Sequence, residues 1–170
     1  TGSRTIIHHR SLDELSEDDM VSRILGEDCR PRWQWVHFEG RAPSALVGAL
    51  RRIREAMRDS DTMISMEIEK PKYVEGLMPA LPLVDVCMVS REAAQSMGFA
   101  DGSSCLRSLA QRVTQRTILS CAWGASGASL CVADPAGRAG DGAEPLTRTV
   151  HLHSCTPPAI GTPTDTLGAG

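Results

Sequence analysis

The chain of 170 residues carries a formal net charge of −3, with 41% hydrophobic and 23% charged residues, the balance of an ordinary globular protein with one sizeable core. That charge excludes the basic footprint that nucleic acid or an anionic membrane surface requires, and its apolar runs fall short of the roughly 20 residues of a bilayer span. The six cysteines, Cys29, Cys87, Cys105, Cys121, Cys131 and Cys155, have no short paired spacing, which favours free thiols in a reducing, cytoplasmic setting over a disulfide framework.

In chain order, Arg4-Thr5-Ile6-Ile7-His8-His9 is rich in β-branched residues and predicts a strand. Ser16, followed by Glu17, Asp18 and Asp19, predicts a helix cap with an acidic first turn, and Met20, Val21, Ile24 and Leu25 continue at helical spacing to Gly26. Trp33 to Phe38 is a nearly continuous apolar run, which predicts a strand covered on both faces. Pro43 suits the first turn of a helix with the apolar stripe Leu46, Ala49, Leu50, Ile53 and Met57; Arg51, Arg52, Glu55 and Arg58 read as its solvated side. A strand follows over Thr62 to Glu69, a short helix around Val74 to Met78, and a buried strand over Val84 to Val89. Ser90 caps a helix running to Gly98; Leu106, Leu109, Ala110 and Val113 mark the next helix, and Thr117 to Trp123 the next strand. This alternation implies β-α-β crossovers, a largely parallel sheet and helices on both faces.

After Trp123 the texture changes. Gly124-Ala125-Ser126-Gly127 predicts a tight turn, Ala128 to Ala133 a short strand, and Leu146 to His153 its antiparallel return. Between them, Asp134 to Pro145 is dominated by Gly, Ala, Pro and charge, a hairpin loop or insertion. Cys155 to Pro163 reads as a Pro- and Thr-rich connector, and the sequence closes on Asp165-Thr166-Leu167-Gly168-Ala169-Gly170.

Ligands of open parallel sheets sit at the carboxyl ends of the strands. That rule singles out Glu39-Gly40-Arg41, Glu69-Lys70, Ser90-Arg91, the Gly124 to Gly127 turn and the terminal Gly168-Ala169-Gly170. Arginine and lysine there suit a phosphorylated ligand, because they form charge-assisted hydrogen bonds to its oxygens. A Gly-Ala-Gly run lets the backbone aim several N–H groups at one anion, although ordinary turns and tails also carry it. His151, His153 and Cys155 alternate onto one side of a strand, workable for zinc, but a fourth ligand is not evident nearby and no metal site is assigned. A nucleophilic cysteine would need a base and cationic surroundings, which the sequence does not place beside any of the six.

Taken together, Gly2-Ser3-Arg4-Thr5-Ile6, His37-Phe38-Glu39-Gly40-Arg41, Glu67-Ile68-Glu69-Lys70-Pro71, Val89-Ser90, Gly98-Phe99, Cys121-Ala122-Trp123 and Asp165-Thr166-Leu167-Gly168-Ala169-Gly170 resemble, nearly end to end, the ribokinase-like (PfkB) carbohydrate kinases. The resemblance implies an incomplete α/β/α three-layer sandwich with a mostly parallel sheet, and a partial kinase domain over residues 1–170. Within it, 1–10 is a strand at the lid edge, 33–123 the β-α-β core, 124–163 the hairpin and connector, and 164–170 the anion-hole motif. It further implies ATP and Mg²⁺ as cofactors and transfer of the γ-phosphoryl to a ketose hydroxyl, fructose giving fructose 1-phosphate.

By position, the resemblance places Arg4 against the nucleotide phosphates and Gly124, Ala125, Ser126 and Gly127 around the nucleotide. Gly168, Ala169 and Gly170 become the anion hole, and Glu39, Arg41, Lys70 and Arg91 lie on the substrate side. The family's catalytic aspartate directly follows Gly-Ala-Gly, and its sugar-binding segment precedes the residues matched here. The expectation is therefore that these 170 residues are inactive alone, the whole kinase being a cytoplasmic homodimer. The sequence departs from the family in three places: the long irregular segment Asp134 to Pro163, Thr164 before the closing motif, and Ser90-Arg91-Glu92-Ala93 where many members have Asn-x-x-Glu. A non-catalytic nucleotide-binding or interaction protein on the same scaffold is the alternative.

Overall fold

A computed structural model describes residues 11–26, 33–134 and 150–156. The expected strand at Arg4 to His9 and the closing Gly-Ala-Gly lie outside the described residues. α1 (Glu17–Leu25) begins as the sequence dictates: Ser16 Oγ accepts from Asp19 N at 3.1 Å while the Asp19 carboxylate accepts from Ser16 N at 3.1 Å, a reciprocal cap. α2 (Pro43–Ala56) buries Leu46, Val47, Ala49, Leu50 and Ile53, and α1 packs along it. Prolines interrupt the helix expected around Val74: α3 (Val74–Leu77) is one turn, flanked by 3₁₀ segments Pro71–Tyr73 and Met78–Leu83. α4 (Arg91–Ser96) is capped by Ser90 and stops at Gly98, whose φ of 89° ends the helix. α5 (Gly102–Ala110) is capped by Asp101, which the hydrophobic pattern alone did not mark.

The strands are β1 (Trp35–Phe38), β2 (Met63–Ile68), β3 (Val86–Val89), β4 (Thr117–Ala122), β5 (Ala128–Ala133) and β6 (Val150–Cys155), and they form one sheet in that order. β1 to β4 are parallel; β5 and β6 join antiparallel. Cys155 therefore ends a strand, paired opposite Ala128, instead of opening a connector.

Register aligns one buried row across the sheet: Phe38, Met66, Cys87, Leu119 and Cys131, with Ile68, Val89 and Cys121 beside it. Consecutive strands that add at the same side with crossovers of one hand place all their helices on one face. The described residues thus supply two layers of the sandwich, the sheet and one helical layer. On the opposite face Trp35, Met88 and Leu130 are exposed, at 56%, 37% and 39%. The Trp33 to Phe38 strand, read as covered on both faces, is covered on one among the described residues: Phe38 is buried, while Trp35 stands on the same open face as Met88 and Leu130. Continuous hydrophobicity reports how apolar a strand is and not which of its faces another layer covers. Among the described residues no helix is long and apolar enough to cross a membrane.

Candidate functional site

Because β1 to β4 run parallel, the segments following them gather at one edge of the sheet. Gly40 lies so close to β2 that an added Cβ would fall 2.2 Å from Glu67 O and 2.8 Å from Leu77 Cδ1, so glycine alone lets this loop lie down on its neighbour. Arg41 then turns back onto Glu39: its Nε and Nη2 both donate to the carboxylate. The Arg41 bond holds the Glu39 carboxyl below its usual range, with Arg41, Lys70 and His37 adding favourable charge, and Glu39 raises the Arg41 guanidinium in return. Lys70 thus shares the electrostatic neighbourhood of the β1 end.

Between β2 and β3 the ends are tied by Ser90. Its N–H donates to Ile68 O at 3.0 Å, its hydroxyl donates to Glu69 O at 2.7 Å, and its oxygen accepts from Ala93 N at 3.0 Å. Arg91, the first residue of α4, pairs with Glu92 through Nη2 at 3.3 Å. Its other guanidinium nitrogen lies over the turn that follows β4: a Cβ on Gly124 would sit 3.3 Å from Arg91 Nη1. That turn closes through Trp123 N to Gly127 O at 2.7 Å and Gly127 N to Gly124 O at 2.9 Å. Gly124 and Gly127 have φ of 59° and 96°, and a Cβ on Gly127 would fall 1.9 Å from Cys155 O. The turn is therefore wedged between Arg91 and the end of β6.

The sequence-derived residues thus form two groups: Glu39, Arg41 and Lys70 at the ends of β1 and β2, and Arg91 with Gly124, Ala125, Ser126 and Gly127 at the ends of β3 and β4. Arg4, Gly168, Ala169 and Gly170 lie outside the described residues. A cavity of about 660 Å³ opens at the first group, lined by Leu15, Met20, Ile24, Phe38, His37 and Arg41. Beside it lies a network that the sequence did not mark: Trp35 Nε1 donates to Ser65 Oγ at 2.8 Å, and His37 Nδ1 stands 2.9 Å from the same oxygen. Only the register pairing of His37 with Ser65 brings these groups together.

The chain is 33% identical to ketohexokinase of Mus musculus over 174 residues, which is 99% of this chain and 51% of that protein. The fructokinase of Vibrio cholerae O395, solved with fructose, ADP and calcium ion, superposes with a TM-score of 0.52 at 19% identity, over 94% of this chain and 53% of its own. Ribokinase of Giardia lamblia superposes with a TM-score of 0.50 at 13% identity, over 66% of this chain and 35% of its own. The chain is a relative of ketohexokinase with the ribokinase-like fold. It spans about half the length of that curated relative, and no protein-family model matches it.

Chemically, the second group of residues can receive an anionic oxygen. Gly124, with positive φ and no Cβ, lets the Arg91 guanidinium lie alongside, while Gly127 lets the turn pack onto Cys155 O, so the charged donor at this turn is Arg91. These residues do not build a metal site: among the described residues no group of three or more His, Cys, Asp or Glu could hold an ion. His151, His153 and Cys155 are exposed residues of β6, with His151 Nε2 3.9 Å from Asp134 Oδ2. Cys87 and Cys105 are pushed up to about 12 and Cys121 to about 11, in each case mainly by burial, so these thiols stay protonated and unreactive.

Proposed function

We propose that these residues are the central part of an ATP-dependent sugar kinase of the ketohexokinase type, which transfers the γ-phosphoryl of ATP to a ketose hydroxyl. Fructose is the substrate, fructose 1-phosphate the product, and Mg²⁺ accompanies the nucleotide. The observation that carries the reading is the Gly124–Gly127 turn lying beneath Arg91 at the carboxyl ends of the parallel strands, directly after β4 and Trp123. In this reading the turn holds the nucleotide, and Arg4 meets its phosphates. Gly168, Ala169 and Gly170 receive the charge that develops on the transferring phosphoryl. Glu39, Arg41 and Lys70, gathered one strand away, face the sugar side.

In the reaction the sugar oxygen bonds to the γ-phosphorus as the bond to the β–γ bridging oxygen breaks, releasing ADP. The proton lost by the sugar goes to a base that the resemblance places after Gly170. Such a base supplies about 10²–10⁴-fold of the rate. The whole kinase is read as a cytoplasmic homodimer.

The test is to assay fructose phosphorylation by residues 1–170 beside a form extended at both ends, with ADP titrated into each calorimetrically. The reading expects ADP binding by both and turnover only by the extended form. Equal turnover by the short chain would overturn the assignment of the chemistry. ADP binding without turnover in the extended form would make the protein a non-catalytic nucleotide binder.

A further inference from the structure

We propose that Arg91 is the side chain that recognises the nucleotide's phosphates beside the Gly124–Gly127 turn, and that residue 124 is glycine to admit its guanidinium. The inference rests on the kinase reading and deepens it by assigning the phosphate contact within the described residues. The three cations that the sequence singles out at the carboxyl ends of the strands, Arg41, Lys70 and Arg91, are not equivalent. Arg41 is engaged by Glu39 through two of its nitrogens. Lys70 lies in the field of the same carboxylate, on the β1 side. Arg91 alone of the three lies against the turn.

Its backbone is held in place. Ser90 bonds Ile68 O, Glu69 O and Ala93 N, so the first turn of α4 is fixed to the end of β2. The side chain is aimed as well. Glu92 takes Nη2 at 3.3 Å, which leaves Nη1 pointing over Gly124, where an added Cβ would meet it at 3.3 Å. Arg91 and Glu92 are 46% and 59% exposed, so this ion pair is weak enough to orient the guanidinium without consuming it. A guanidinium beside the turn offers the two-point donor geometry that a phosphate oxygen pair accepts, which an ammonium cannot reproduce. A methyl group at residue 124 would crowd Nη1 and strain a φ of 59°. The ligand class that follows is a nucleoside di- or triphosphate, discriminated from the bare nucleoside.

The test titrates the full 170-residue chain with ADP and, separately, with adenosine, each by calorimetry at two salt concentrations. Arg91→Gln should weaken ADP roughly 10- to 100-fold, the loss of one or two charge-assisted bonds, and leave adenosine unchanged. It should also flatten the salt dependence of ADP binding. Arg91→Lys should recover only part of the loss, and Gly124→Ala should weaken ADP without touching adenosine. Circular dichroism verifies that each variant is folded. Unchanged ADP affinity in folded Arg91→Gln overturns the inference while the kinase reading stands. An equal loss for ADP and adenosine also overturns it, since Arg91 would then only shape the turn. Failure of the unaltered chain to bind either ligand overturns the kinase reading and the inference together.

Discussion

Asp85 joins three strands and a helix at the end of the sheet opposite the site, and neutralising it should unfold the protein measurably earlier. Its carboxylate accepts from Arg54 Nη2 at 2.6 Å, Ile64 N at 2.7 Å and Gln115 Nε2 at 3.1 Å, while its backbone bonds Ile64 O and Ile118 N at 2.8 Å each. In Asp85→Asn the amide oxygen must serve Ile64 and Arg54, since both are donors. The new NH₂ then faces the Gln115 NH₂, unless Gln115 turns over and gives up its 3.2 Å bond to Val84 O. One charge-assisted bond, about 1.5–3 kcal/mol, becomes neutral, and a further bond is lost. Breaking a fully buried pair costs about 3–5 kcal/mol. Arg54 and Asp85 are 21% and 19% exposed, so water screens part of that, and about 2–3 kcal/mol is expected. Equilibrium urea unfolding followed by circular dichroism measures the cost, and a double-mutant cycle with Arg54→Met should give a coupling above roughly 1 kcal/mol. A cost below about 0.5 kcal/mol, the level of an ordinary surface change, would refute the reasoning, as would strict additivity with Arg54→Met.

Two glycine substitutions should act in opposite directions. Gly40→Ala drives a Cβ into the Glu67 carbonyl at 2.2 Å and should cost about 1–3 kcal/mol in the same unfolding assay. Gly48→Ala meets only the end of the Glu17 side chain, at 1.9 Å, which can swing aside at the cost of its exposed pair with Arg52; it should be neutral or stabilising, because a helix-interior alanine gains about 0.5–1 kcal/mol. Thiol labelling mapped by mass spectrometry should modify exposed Cys155 in the native protein while Cys87, Cys105, Cys121 and Cys131 react only on unfolding; fast native labelling of Cys121 would contradict its burial. Asp101 is held below its ordinary 3.8 by bonds from the Ser104 backbone and hydroxyl. A depressed carboxylate contributes stability above its unfolded value and loses it as pH falls through its folded value. The stability gap between the unaltered protein and Asp101→Asn should therefore be widest near neutrality and close in acid below that value, and a gap independent of pH would exclude the charge as its source.

The elements legible in the sequence are those with a local cause. Ser16 with Asp19, Pro43, Ser90 and Gly98 each mark a helix end within four residues of the group they satisfy, and each mark holds. The turn at Gly124 to Gly127 was likewise readable, because positive φ needs glycine. What stayed hidden depends on residues distant in sequence. Arg54 and Asp85, 31 residues apart, meet only once the sheet has assembled. His37 and Ser65 meet only through register, and Arg91 reaches Gly124 only because β3 and β4 end side by side. The exposure of Trp35 was misread for a related reason: hydrophobic content does not say which face of the sheet another layer covers.

The strictly sequential order of the six strands also bears on how the chain is made. Among the described residues each strand from β2 to β6 pairs with the one synthesised immediately before it, so none of these six has to hold a vacant place for another of them. Loop-closure entropy is met in small instalments as the sheet grows. Assembly can follow emergence from the ribosome from β1 to β6, with the helix between two strands packing down as the later strand arrives.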